Sequence, residues 1–328
     1  MDTVNNMEDL NILTFNSHQA YCYGFSSIGA RIFVVHEIPG KDIRKWDVNI
    51  RPCPDNITLI SMPRAVKMYE KGLIDLVVCH NISDLMEVSE WQIKKMLCVH
   101  ETVRGRIVTE RSRIGRRDWS MMVKAYLNRI KDVHTVFVSK KKARDWGLDG
   151  SIIELGVDPH DYCGYSGAIP SALTVSNGLK MRGRILGYDI HQGILDGRPC
   201  EIVGHDPGLP GSKRAANWVE LKEKYRQNRV YLFTALEEYE DGYNTAMLEA
   251  MATGMPVISY TNDTSPVIDG VNGYISNDVG YLMGRLDRLL KDRDEAVRLG
   301  REARRTAVER FGIDRHVRKW RRLIKSFM

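Results

Sequence analysis

No two of the six cysteines form a CxxC pair: Cys22, Cys53, Cys79, Cys98, Cys163 and Cys200 are scattered, several within apolar runs. That distribution argues against a disulfide framework or a zinc motif and predicts reduced core residues. No apolar run approaches the length that spans a bilayer, and the opening MDTVNNMEDL has neither a basic nor an apolar leader region, so a cytoplasmic location is expected. Low-complexity tracts and obvious internal repeats are absent, which sets disorder and solenoids aside. No strand-like run leads into GxGxxG, which disfavours an ordinary dinucleotide dehydrogenase. No Ser-His-Asp or Cys-His arrangement points to a protein nucleophile.

What is present is an ordinary globular composition, 43% hydrophobic and 27% charged over 328 residues, enough chain for two domains with separate cores. Strand-like apolar runs alternate with helical patterns from end to end. This predicts an α/β fold of two doubly wound, Rossmann-like parallel sheets with helices on both faces. The stretch 158–171, DPHDYCGYSGAIPS, is rich in Gly, Pro and Ser and marks the boundary. The expected domains are 1–160 and 165–313. The segment 314–328 reads as a basic amphipathic helix with Val317, Trp320, Leu323, Ile324 and Phe327 as its apolar positions.

The most informative stretch runs from Asp241 to Tyr260, DGYNTAMLEAMATGMPVISY. It follows the strand-like VYLFT of 230–234 and an acidic loop. A helix is expected to start near Asn244 or Thr245, run through good helix formers, stop at Gly254 and be barred from continuing by Pro256. The strand Val257 to Tyr260 comes next. A helix opening beyond a strand end directs unpaired N–H groups and the positive end of its dipole at a phosphate, while Asp241 and Glu249 can accept hydrogen bonds from hydroxyls. Phosphate and polyol together describe a nucleotide sugar. The same pattern is also compatible with a plain βαβ unit of any α/β protein.

This stretch resembles the signature of the family 4 retaining glycosyltransferases of the GT-B fold, two glutamates separated by seven residues in a frame such as EGFGxxxLEAMAxGxPVI. Glu249 fills the second glutamate. Asp241 stands at the first, one methylene shorter, and Asn244 replaces a usual glycine. The resemblance continues in order along the chain: ILTF (12–15), ARIFVV (30–35), LVVCHN (76–81), LCVHE (97–101), TVFVSK (135–140), IIELGVD (152–158), LTVSNGLKMRG (173–183), EIVGHDP (201–207) and VIDGVNGYI (267–275). It implies two Rossmann-like domains facing across a cleft, with the acceptor on the first domain, the donor on the second, and the terminal helix able to pack back on the first.

The resemblance also assigns roles. Glu249 would hold the ribose hydroxyls and Asp241, with Glu240 as its rival, the donor sugar. The amides from Tyr243 through Asn244 and Thr245 to Ala246 would face the diphosphate. In the motif that resembles GRLxxxKG, Asn177 takes the arginine place and Arg182 the lysine place, so one phosphate-clamping cation is missing, for which Lys180 or Arg184 can substitute. Gly204 and Asp206 would sit near base or ribose, and Asn262, Asp263 and Thr264 near the phosphates. His100 would contact the transferred sugar. Asn16, His18 and His80, each just after a strand, fall on the acceptor side, where a loop histidine can equally be structural.

No DxD metal motif follows a strand, so metal-independent, retaining transfer is expected, with no cofactor and a UDP- or GDP-sugar as substrate. The segment Arg104 to Arg144 carries thirteen cationic residues against Glu110, Asp118 and Asp132, while the whole chain's excess is +6. Three readings stand: an anionic membrane surface, a polyanionic acceptor, nucleic acid being the less favoured form, or a solvated face. Beside the transferase reading stands a second class, a binding protein that keeps the fold without turnover.

Overall fold

The computed structural model describes residues 6–40, 43–114 and 119–328, with the side chains of 111–114, 119 and 120 outside the description. The chain divides into two compact units. One comprises Met1–Val103, Ile114–Leu155 and Asp314–Met328; the other comprises Arg104–Arg113 and Gly156–Ile313.

The first unit is built on β1 (Asn11–Phe15), β2 (Arg31–Val35), β3 (Ile57–Ile60), β4 (Leu76–Cys79), β5 (Lys95–Val99), β6 (His134–Phe137) and β7 (Ser151–Ile152). They form one sheet in the order β3-β2-β1-β4-β5-β6-β7, every pairing parallel. Its central strands are apolar on both sides because helices cover both faces; β4 is LVVC with all four residues buried. Two apolar clusters result, one including Ile12, Val78 and Cys98, the other Leu13, Val77 and Leu97, in keeping with the period-2 alternation of side chains.

The helix Ile313–Phe327 completes this first unit. Trp320 is fully buried against Phe25, ring centroids 4.9 Å apart, and its indole N–H donates to Tyr21 Oη at 3.1 Å. Arg321 Nε donates to the Ile28 carbonyl at 2.9 Å, and Lys319 pairs with Glu154.

The second unit contains β8 (Ile169–Val175), β9 (Cys200–Val203), β10 (Asn228–Phe233), β11 (Val257–Tyr260) and β12 (Gly273–Ser276), in the order β12-β11-β10-β8-β9, again all parallel. The central β10 is buried at all six residues. Arg304, on the helix Arg293–Phe311, sends its guanidinium to the carbonyls of Ala252, Tyr162 and Pro159. It thereby satisfies the open end of the Thr245–Thr253 helix and ties the 156–168 segment to it.

Several sequence boundaries move. The stretch expected to be a linker through 171 already enters β8 at Ile169, whose first residues are exposed and carry no periodic signal. β7 pairs only two residues, so most of IIELGVD lies outside the sheet. Among the described residues, no helix is long and apolar enough to cross a membrane.

Candidate active site

In an open parallel sheet, ligands sit beyond the carboxyl ends of the strands, where the strand order reverses. In the second unit β8 is followed by neighbours on opposite sides, so its reversal lies between β8 and β10. The residues after those strands are Ser176-Asn177 and the loop that leads to the Thr245–Thr253 helix. Asn244 caps that helix from an extended conformation, its Oδ1 accepting the Met247 amide at 2.9 Å, and its carbonyl takes the Leu248 amide. Of the first-turn amides, those of Thr245 and Ala246 stand at the helix mouth. Gly254 ends the helix in a left-handed conformation, φ 102°.

Glu249 lies one turn inside the helix and only 4% exposed, with Tyr225 Oη donating to its Oε2 at 3.0 Å. Burial, then the Glu249 charge, pushes the Tyr225 phenol well up, so it remains a donor. Asp241 is also buried, and the Glu240 carboxylate accepts the Asp241 amide at 3.0 Å, which directs Glu240 back onto its own loop. Tyr243 is buried with its ring 4.9 Å from Phe311.

Two loops are tied together here. The Gly242 amide donates to Thr264 Oγ1 at 2.6 Å, Thr264 Oγ1 donates to Asn262 Oδ1 at 2.9 Å, and Asn262 Nδ2 reaches the Glu240 carbonyl at 3.1 Å. A Cβ on Gly242 would lie 2.6 Å from the Ser265 nitrogen, so this approach requires glycine. Thr264 and Asn262 therefore shape the acidic loop.

Around β8 and β9 the arrangement is again one of backbone and short polar side chains. Asn177 is exposed, its Oδ1 accepting the His205 amide at 2.9 Å. Gly204 has φ 150°, and a Cβ there would sit 1.9 Å from the Ser176 carbonyl oxygen. Asp206 is buried: one carboxylate oxygen takes the Lys180 and Met181 amides at 2.5 and 3.2 Å, the other the Gly208 amide at 3.0 Å. It moulds the loop carrying Lys180 and Arg182. Arg182 is exposed at the start of the short helix Gly183–Leu186, with no ion pair among the described residues. Arg184, the alternative cation, is bound to Tyr239, Nε to Oη at 3.0 Å.

In the first unit the order reverses between β1 and β4. The loop after β1 holds Asn16, Ser17 and His18, and His80 and His100 come directly after β4 and β5. Three histidines meet: His80 Nδ1 lies 3.1 Å from His100 Nε2, and the His18 ring centroid is 4.4 Å from that of His100 and 6.4 Å from that of His80. Tyr21 packs edge-on against His80, His100 and His316. Burial, then the proximity of His18, lowers His80 from 6.5 to about 3, and burial, then His18 and His80, drives His100 well below 6.5. Both rings are neutral bases at neutral pH. Below them Asp84 is fully buried, accepting the His80 and Asn81 amides at 2.9 and 3.0 Å and the Ser17 hydroxyl. Burial raises its carboxyl to about 6 despite those donors. Asn16 binds the Arg44 carbonyl through Nδ2 at 2.9 Å, while its buried Oδ1 has no partner among the described residues.

The structure thus groups Asp241, Tyr243, Asn244, Thr245, Glu249 and Thr264 at one strand-order reversal, with Asn177, Arg182, Gly204 and Asp206 around the β8–β9 end. His18, His80 and His100 gather at the other reversal. Sequence reasoning did not find Tyr225, Asp84 or Tyr239, because each acts through a partner distant in sequence; Asp84 alone left a local sign, an acidic residue three after Asn81 as in a capping box.

The basic segment is not one continuous charged face. Arg106 pairs with Glu110 at 2.7 Å with both side chains mostly covered, and Lys142 is buried. Tyr126 and Leu127 pack on the core, while Met121 is exposed. The side chains of Arg111, Arg113, Arg116, Arg117, Asp118 and Trp119 lie outside the described residues.

Two parallel sheets of this topology, each with polar residues gathered where its strand order turns, are those of the GT-B fold. Residues 197–292, within the second unit, match the family glycosyl transferases group 1, which marks that segment as a glycosyltransferase domain. No curated protein sequence matches the chain. Among solved structures, sucrose-phosphate synthase of Thermosynechococcus elongatus superposes with a TM-score of 0.70 at 13% identity, over 97% of this chain and 98% of that one. HepE of Anabaena, solved in complex with UDP and glucose, gives 0.69 at 11% identity, over 97% and 100%. A glycosyltransferase of Rickettsia africae gives 0.65 at 14% identity, over 97% and 98%. At these identities the likeness carries the fold.

Proposed function

We propose that the chain transfers a sugar from a nucleotide-sugar donor to an acceptor hydroxyl, with retention of anomeric configuration and without a divalent metal. The observation that carries this reading is the Thr245–Thr253 helix, opening at the β8–β10 reversal with the Asp241 loop before its mouth and the Tyr225-bound Glu249 inside its first turns. The helix amides and dipole suit a diphosphate that gathers negative charge as the glycosidic bond breaks. Asp241 would bind the sugar's hydroxyls and Glu249 the ribose. Arg182, exposed and free of ion pairs among the described residues, supplies the cation at the phosphates, and its forked guanidinium matches phosphate oxygens.

The neutral imidazole of His100 would contact the transferred sugar, with His18, Asn16 and His80 towards the acceptor. The acceptor hydroxyl would attack the face from which the nucleotide leaves, its proton passing to a donor phosphate oxygen, so no protein nucleophile is needed. HepE, solved with UDP, favours a uridine nucleotide, with GDP as the alternative. An anionic acceptor fits the cationic excess of 104–144, reduced by the inward Arg106 and Lys142. Six free cysteines fit a reducing, cytoplasmic compartment.

Thermal melts with UDP and GDP, followed by incubation with radiolabelled UDP- and GDP-sugars, test this reading. One nucleotide should raise the melting temperature, a ligand at a hundred times its Kd adding about 2.7 kcal/mol, and its sugar should be slowly hydrolysed without acceptor. Glu249→Ala should lose about 10²-fold in turnover. Absence of any shift, or full turnover by Glu249→Ala, would overturn it. Binding without turnover would point to a non-catalytic nucleotide-sugar protein.

A further inference from the structure

One buried side chain beside the three histidines is not used by the proposed transfer. Cys98 precedes His100 by two residues at the end of β5, so the two leave the sheet on the same face. His80 directly follows the neighbouring β4. One ligand atom each from His80, Cys98 and His100 lies within 4.8 Å of the others, and the two imidazole nitrogens are already 3.1 Å apart. We propose that Cys98, His80 and His100 form a binding site for a thiophilic divalent cation such as Zn²⁺.

The donor set selects the ion. Two imidazoles and a thiolate suit Zn²⁺ and Co²⁺, whereas Mg²⁺, Ca²⁺ and Mn²⁺ prefer oxygen. Tetrahedral zinc bonds of about 2.0–2.1 Å to nitrogen and 2.3 Å to sulfur place ligand atoms about 3.4–3.7 Å apart. Side-chain rotation of about 1 Å closes the present 4.8 Å spread. On binding, the Cys98 S–H bond breaks, its proton goes to water and an S–metal bond forms. The proton shared between His80 and His100 moves to a ring nitrogen facing away from the ion, so both imidazoles stay neutral. The Cys98 thiol now donates to Tyr21 Oη at 3.4 Å, and Trp320 donates to the same oxygen. Once the thiol loses its proton, the Tyr21 hydroxyl can turn to donate to the thiolate and orient it. Cys22 Sγ, 3.8 Å from His80 Nε2, receives the displaced imidazole N–H. Three protein ligands leave a fourth position for water.

The ion is not a cofactor of transfer. Because it takes the nitrogens of His100, it would compete with the donor sugar; that consequence alone rests on the proposed function. The test uses the full chain carrying Cys163→Ser, which removes the exposed thiol. Titration with Co²⁺ should give one ion per chain with a thiolate-to-cobalt charge-transfer band and tetrahedral ligand-field bands, displaced by Zn²⁺. Cys98→Ser and Cys98→Val should both lose the charge-transfer band while keeping the native near-ultraviolet circular dichroism. Tyr21→Phe should keep the band and bind about tenfold more weakly. No stoichiometric cobalt spectrum, or a band unchanged in both Cys98 variants, overturns the site whether or not the chain transfers sugar. In the transfer assay Zn²⁺ should inhibit the Cys163→Ser protein and leave the Cys98→Ser derivative at its metal-free rate.

Discussion

The two strand-order reversals follow the same topological rule with different materials. In the second unit the site is shaped by backbone: helix amides, loop amides held by Asp206 and Thr264, and close approaches that only Gly204 and Gly242 permit. In the first unit it is shaped by side chains: three imidazoles, a phenol and a thiol packed on one another above the buried Asp84. A backbone-built site keeps its form over a range of pH but tolerates no added atom. A side-chain site accepts small substitutions but responds to protons and metal ions.

The largest effect expected from this contrast is at Gly204. Gly204→Ala places a methyl 1.9 Å from the Ser176 carbonyl, and a backbone shift of that kind should destabilise by about 3 kcal/mol, visible in denaturant or thermal unfolding. Unaltered unfolding would mean that β8 and β9 are not held as closely as described. Next comes Tyr225→Phe, which removes the phenol's hydrogen bond to a buried Glu249 oxygen at a cost of about 1–3 kcal/mol. Calorimetry should show UDP binding about tenfold weaker with the fold retained; equal affinity would make the phenol irrelevant to the carboxylate's position.

The smallest effect is the pH dependence of stability. His80 titrates near 3 when folded and 6.5 when unfolded. As pH falls below 6.5 the unfolded chain takes up a proton that the folded chain does not, so stability declines until about pH 3. Asp84 acts in the opposite sense: its folded value of about 6 exceeds 3.8, so between those values lower pH favours the fold. Between about pH 6 and 4 Asp84 nearly offsets His80, but His100, His191 and His316, lowered by burial in the same sense as His80, leave a net loss, so the melting temperature should fall from pH 7 towards pH 4, and His80→Asn should reduce the slope. A parallel slope in that variant would assign the acid sensitivity elsewhere.

The fold was legible because its strands are buried on both faces and stand out as apolar runs, LVVC of β4 and VYLF within β10 above all. Edges were less visible where a strand begins with a charged or exposed residue, as at Lys95 of β5 and Ile169 of β8. The helix mouth could be read because its determinants are local: Asn244 caps, Gly254 turns left-handed, Pro256 bars continuation. Contacts between distant residues carry no such mark. Nothing in the sequence around Asp206 says that its carboxylate folds back on the Lys180 and Met181 amides, and nothing near Glu249 names Tyr225. The gathering of His18, His80 and His100 depends on which strands become neighbours, and that is a property of the sheet order.

The placement of Trp320 has a consequence for biosynthesis. Tyr21 and Phe25 emerge from the ribosome early, yet the indole that covers them arrives only after every residue of the second unit has been translated. The early-made sheet must therefore wait with part of its core open while roughly half of the polypeptide is synthesised. Expression of the first 155 residues alone should therefore leave the surface that Trp320 and Ile324 cover exposed, an apolar groove in place of a finished domain.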